Sequence, residues 1–148
     1  MISKILIAIE DTYFMPAIES FLSQLQSKAG ELRIKILHVV EPETAVYSWP
    51  SAEYRSEAEA LVGDVCKILS EKFPQYKVEG QLREGIAKEE IIEEARAFSA
   101  DLILMGPHGK NGIGKFLMGS VAKDVIPLAP CSVVLLRAEI AHKQPSPR

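Results

Sequence analysis

A three-layer α/β sandwich around a five-stranded parallel sheet is the fold class this 148-residue chain predicts. Three observations carry that expectation. Short apolar runs recur along the chain, and most are near-continuous rather than alternating, as in strands buried on both faces. Segments with apolar residues at helical spacing separate them. The resulting order, β-α-β-α-β-α-β-α-β, is that of parallel strands joined by right-handed helical crossovers.

Lys4 to Ile9 is the first apolar run, hence a strand. Thr12 is placed to cap the following helix, and Pro16 is tolerated in a first turn. Phe14, Ile18, Phe21, Leu22 and Leu25 then recur at helical spacing, and Ala29-Gly30 ends the helix. Leu32 to Val40 alternates and then turns fully apolar, giving the second strand. Glu41 to Arg55, with Pro42, Trp49 and Pro50, reads as a longer connection. Ala58, Leu61, Val62, Val65, Ile68, Leu69 and Phe73 define a long second helix. Tyr76 to Leu82 is the third strand. Gly85 introduces a third helix with Ile91, Ile92, Ala95 and Phe98 inward, and Asp101 to Met105 is the fourth strand. A helix from Ser120 carries Val121, Val125 and Ile126 and is closed by Pro127 and Pro130. Ser132 to Leu136 is the fifth strand. The chain divides into one domain, residues 1–137, and a polar tail, 138–148, in which fraying is expected.

Composition is that of an ordinary globular domain, 47% hydrophobic and 25% charged, and a chain this long buries roughly 70% of its unfolded surface. The net charge of −3 argues against a nucleic-acid or anionic-membrane surface. No apolar run approaches the length of a membrane span, and the N-terminus lacks the features of a signal peptide. Cys66 and Cys131 form no metal or redox spacing. They read as reduced core residues, which fits a cytoplasmic location.

The densest signal is Gly106-Pro-His-Gly109, nine further residues, then Gly119-Ser120. A strand, a glycine-rich loop and a helix start in that order suit an anion: glycines admit φ > 0 and close backbone approach, and the helix N-terminus favours negative charge. With strands ordered 3-2-1-4-5, the topological switch falls between strands one and four. Glu10-Asp11-Thr12 then faces the glycine loop, offering carboxylates and a hydroxyl to a ribose or an adenine edge. Gly109, Gly114 and Lys115 match part of a P-loop, but Phe116 stands where that motif needs the Ser or Thr that holds Mg²⁺. The dinucleotide fingerprint Gly-x-Gly-x-x-Gly is absent too.

Gly-x₂-Gly-x₉-Gly-Ser, at Gly106, Gly109, Gly119 and Ser120, resembles the ATP-binding signature of universal stress proteins. The resemblance runs to about Leu136. It includes the opening strand with Glu10-Asp11-Thr12, His38-Val39-Val40, the block from Ala100 to Gly106, Leu117 to Ala122, and Ala129 to Val134. It implies a Rossmann-like sheet in the order 3-2-1-4-5, similar to adenine nucleotide alpha-hydrolases. It implies triphosphate binding by the three glycines, Ser120 and the Val121 amide, with Val39 and Met105 bordering adenine. It also implies that Ile9, Glu10 and Asp11 meet the nucleoside; the family often has Asp where Glu10 stands, one methylene shorter. Members commonly pair through their last strands, making Ser132 to Leu136 a homodimer interface.

Individual residues keep plainer readings. His108 serves equally as a phosphate donor or as an exposed loop histidine. Lys110 and Lys115 are more commonly solvated loop lysines than phosphate partners. An N-cap role alone would account for Ser120. Tyr47 and Trp49 suit anchoring of a long loop better than a nucleotide lid, and His38 suits a satisfied core or strand-end position better than a ligand. No catalytic and no metal-ligating residues are assigned, because no second carboxylate cluster or arginine finger accompanies the loop. The expectation is a cytoplasmic ATP-binding stress-response protein, with or without Mg²⁺. AMP or a cyclic nucleotide are the alternative ligands. A non-nucleotide-binding dimeric interaction module and a weak nucleotide hydrolase are the alternative functions.

Overall fold

The strands and helices alternate as the apolar pattern predicts: β1 (Lys4–Ala8), α1 (Met15–Gln24), β2 (Arg33–Val40), α2 (Ala52–Lys72), β3 (Lys77–Glu84), α3 (Ala87–Phe98), β4 (Leu102–Met105), α4 (Ser120–Leu128) and β5 (Ser132–Leu135). The structure, a computed structural model, describes residues 2–25, 32–42, 52–107 and 118–137. The five strands form one sheet in the order β3-β2-β1-β4-β5, and every pairing is parallel.

Alternation along each strand sends successive side chains to opposite faces, and both faces are covered. On one, Ile5 and Ile7 of β1, Ile34 and Ile36 of β2, and Leu102 and Leu104 of β4 pack with Ile18 and Leu22 of α1 and Val65 and Leu69 of α2. On the other, Leu6, Leu37, Ile103 and Met105 meet Ile91, Ala95 and Phe98 of α3 and Ala122 and Val125 of α4. Gly80 lets α2 lie close on β3: a Cβ there would stand 2.5 Å from Val62 Cγ1 and 2.9 Å from Cys66 Sγ. The two sheet edges differ. β3 carries Lys77, Glu79, Arg83 and Glu84, charges that discourage strand addition, whereas β5 carries none.

Three local expectations are corrected. Thr12 does not cap α1 with its side chain: the N-cap is Phe14 and no side chain bonds there. The turn is set instead by Asp11, whose Oδ1 accepts the Tyr13 N–H at 2.8 Å, and by the Thr12 carbonyl, which accepts the Met15 N–H. The stretch expected as a connection to Arg55 already contains the first turn of α2, where Glu53 favours the helix start and Arg55 is held 2.7 Å from Glu84. Pro127 lies inside α4 rather than ending it. It removes one N–H, but the Ala129 N–H still reaches the Val125 carbonyl at 2.8 Å.

At the amino ends of the strands the chain is tied to itself. Asp101 Oδ2 accepts the backbone N–H groups of Ser3 (2.8 Å) and Lys4 (2.9 Å) and the Ser3 hydroxyl. Those N–H donors, the Ser3 and Lys4 amides foremost, hold its carboxyl below the usual carboxylate range. The Phe98 ring closes the same end, with the cations of Lys4, Arg33 and Lys35 at 5.7, 5.4 and 4.7 Å from its centroid.

Candidate functional site: the crevice at the carboxyl ends of the strands

β1 lies between β2 and β4. After β1 the chain crosses to α1 on one face; after β4 it runs to α4 on the other. The two connections part at the carboxyl edge, which is how an open sheet creates a crevice. Here the crevice is a cavity of about 530 Å³, within the size range of small-molecule sites.

Its floor is the stretch that directly follows β1, Ile9-Glu10-Asp11. One wall is built on the β2 side by His38, Val39 and Glu41, with Tyr54 from α2 and Ala87 and Ile91 from α3. Glu41 fixes this wall, because its Oε1 accepts the Ala87 N–H at 2.9 Å at the start of α3. The other wall is Met105, Gly106 and Pro107 after β4, with Gly119, Ser120 and Val121 at the start of α4. The Gly119 N–H donates to the Pro107 carbonyl at 2.6 Å, so the two ends of that connection are joined directly.

The start of α4 can receive an anion. No acidic residue lies in its first turn and no side chain caps it. Its first turn closes with Lys123 N–H on the Gly119 carbonyl, leaving the Ser120, Val121 and Ala122 N–H groups without intrahelical acceptors. The floor has the opposite character, with the carboxylates of Glu10 and Asp11. The cavity therefore has an electropositive end on α4 and an acidic middle.

Ile9, Glu10, Asp11, Val39, Met105, Gly106, Gly119, Ser120 and Val121, all singled out from sequence, line this cavity. His108, Gly109, Lys110 and Lys115 lie outside the described residues, as do Tyr47 and Trp49. Two physical reasons change. Neither Gly106 nor Gly119 takes positive φ; Gly119 is the N-cap at φ −66°, ψ 161°. Gly106 is small for packing: a Cβ there would stand 2.6 and 2.9 Å from Cδ2 and Cζ of Phe14 and closer still to Cε2. Ser120 is not the N-cap but the first residue of α4, and it is exposed.

Sequence reasoning missed His38, Glu41, Tyr54, Ala87 and Ile91 as lining residues. Tyr54 was read as part of a connection, and Ile91 was assigned to the core, where it also belongs. Phe14 and Ile18 likewise serve both the core and the cavity. The thiols stand apart from the cavity lining. Burial, chiefly, raises the pKa of Cys66 and Cys131, so neither is a ready nucleophile. Among the described residues no group of three or more His, Cys, Asp or Glu side chains is placed to share a metal ion, and no helix is long and apolar enough to cross a membrane.

Residues 1–137 match the universal stress protein family. The chain belongs to that family. Universal stress protein MJ0531 of Methanocaldococcus jannaschii is 43% identical over 61 residues, a match spanning 41% of this chain and 36% of that protein. Among solved structures of similar fold, the hypothetical protein MJ0577 has a TM-score of 0.77 at 25% identity, covering 95% of this chain and 99% of that one. A universal stress protein family member from Arabidopsis thaliana, solved with AMP bound, has a TM-score of 0.67 at 20% identity over 97% of each chain. Family membership agrees with the sheet order and with the motif carried by Gly106, Gly119 and Ser120.

Proposed function

We propose that this chain binds an adenine nucleotide, ATP, in the crevice between β1 and β4, and that nucleotide occupancy is what a partner in a cytoplasmic stress response reads. The observation that carries the proposal is the polarity of the cavity. An uncapped helix start with free N–H groups suits phosphates, and the carboxylates of Glu10 and Asp11, set back from it, would repel phosphate and accept ribose hydroxyls. The apolar surfaces of Val39 and Met105 on either side of β1 suit a purine. In this reading Gly106, Gly119, Ser120 and Val121 hold the phosphate side, with His108 and Gly109 contributing from the loop between them. Ile9, Glu10 and Asp11 hold the nucleoside. The AMP-bound relative supports the reading from outside the chain.

We infer no catalytic role. Phosphoryl transfer to water requires a positioned nucleophile and charge stabilisation at the leaving group, and the described lining supplies carboxylates but no arginine. The proposal includes a homodimer through Ser132 to Leu136, supported by the uncharged strand at the β5 edge, in contrast to the charged strand at the opposite, β3 edge. Isothermal titration with ATP, AMP and cyclic AMP, each with and without Mg²⁺, tests the ligand. Tightest binding by ATP supports the reading, and binding by AMP or cyclic AMP alone shifts it to that ligand. No binding at millimolar concentration returns the chain to an interaction module. Steady phosphate release well above background would move it toward a hydrolase.

A further inference from the structure

Among the described residues only two polar or charged side chains are buried, Glu94 and His38. Glu94 is engaged by Lys35 at 3.6 Å and Arg83 at 3.5 Å. His38 lines the cavity and is only 9% exposed. Its Nδ1 lies 2.8 Å from the Ile9 carbonyl oxygen. A carbonyl only accepts, so Nδ1 carries the proton, and in the neutral ring Nε2 is then an unprotonated acceptor. Among the described residues no buried side-chain nitrogen or oxygen lacks a partner. The ring's hydrogen bond is through Nδ1. Nε2 is therefore the part of the ring left open, and the space available to it is the cavity that His38 lines.

The rest of the cavity says which part of a ligand reaches this acceptor. β2 and β4 flank β1 on opposite sides, so the β2 wall and the start of α4 are separated by two strand spacings, about 10 Å. A nucleotide with its phosphates at α4 and its ribose over Glu10 and Asp11 brings its base to the β2 wall. Resting on the nucleotide reading above, we propose that His38 is a specificity-determining residue: Nε2 accepts a hydrogen bond from the exocyclic amino group of a 6-aminopurine and opposes the lone pairs of a 6-oxopurine. The Ile9 carbonyl has the positioning role, since it fixes the tautomer that makes Nε2 an acceptor. A hydroxyl or amide at residue 38 would not impose the same discrimination, because either can rotate to donate.

The test is isothermal titration of ATP and inosine triphosphate into the wild type, His38→Asn and His38→Gln. Asn can keep the N–H toward Ile9 and has nothing at the Nε2 position; Gln can place an amide oxygen near it. The wild type is expected to prefer ATP by about tenfold, the scale of one hydrogen bond won and one opposed. His38→Asn should lose that preference through weaker ATP binding, and His38→Gln, whose amide can turn to accept or to donate, should bind both nucleotides about equally. Nitrogen NMR of wild-type protein gives a readout that does not depend on a variant folding: the Nε2 resonance, at the unprotonated position in the free protein, should move on adding ATP and not on adding inosine triphosphate. Equal wild-type affinity for the two nucleotides, an unchanged ratio in His38→Asn, or an Nε2 resonance indifferent to ATP overturns the assignment. Each of those outcomes requires that nucleotide binds. Absence of all binding overturns the nucleotide reading itself.

Discussion

At the amino ends of the strands, backbone and side chains close on one another; at the carboxyl ends, the same strands stop around a cavity of about 530 Å³. Asp101 gathers the Ser3 and Lys4 amides, and three cations surround Phe98. Opposite them, Ser120 to Ala122 begin a helix with N–H groups that no side chain caps, and His38 keeps one ring nitrogen open. Strands of four to eight residues join the two ends, so the same strands serve both. The difference separates demands that otherwise conflict. Groups satisfied within the protein hold the fold at one end, and at the other the helix start that no side chain caps sits where the switch in chain direction opens the sheet.

Substitutions at the two ends should therefore part company. Phe98→Ala removes a ring that is 5% exposed and should cost about 3–5 kcal/mol of stability. ATP affinity of the folded fraction should not change, as urea unfolding and titration below the transition would show. Gly106→Val is the variant most able to blur the comparison. Its side chain cannot coexist with Phe14 where it stands, so a loss of about 1–3 kcal/mol is expected, together with loss of ATP binding. Adding Phe14→Ala should recover part of the stability. If Gly106→Val is as stable as the wild type, the packing role given to that glycine is wrong.

Asp101→Asn should cost roughly 0.5–1 kcal/mol at neutral pH, because it removes charge from an exposed set of hydrogen bonds. The folded-state carboxyl has a lowered pKa, so its contribution is present above the unfolded value, about 4. It is lost as pH falls through the lower folded value. Unfolding curves for wild type and variant should differ at pH 7 and converge in acid. A gap that widened in acid would mean the carboxylate is not stabilised as described. The smallest change in stability belongs to Ser120→Ala, within about 0.5 kcal/mol, since the hydroxyl makes no capping bond. Its ATP affinity should nevertheless fall about fivefold.

Much of this was legible in the chain because parallel sheets write themselves as continuous apolar runs. Ile5 to Ile7, Ile36 with Leu37, and Leu102 to Met105 are buried on both faces, so no choice of face had to be made. The floor was legible for a related reason: residues just past a strand's carboxyl end are placed by the strand itself, whereas the start of α4, well beyond the end of β4, was legible only through the glycine motif. The β2 wall was not. Tyr54 and Ala87 reach the cavity from helices whose distance from the sheet no local pattern encodes. The pattern marks His38 as a satisfied strand-end histidine, but nothing local says that the partner is Ile9, 29 positions earlier, or that the ring also lines the cavity. The glycines were found for a reason that does not hold at Gly106, where the need is room for Phe14, a contact 92 residues apart in sequence.

Whether the crevice binds ATP is measured by titration of ATP into the purified protein, with Ser120→Ala and Phe98→Ala titrated alongside. Saturable one-to-one binding per chain is expected, weakened by the first substitution and unchanged by the second. Binding that is absent, or that survives Ser120→Ala and disappears with Phe98→Ala in protein that remains folded, would contradict it.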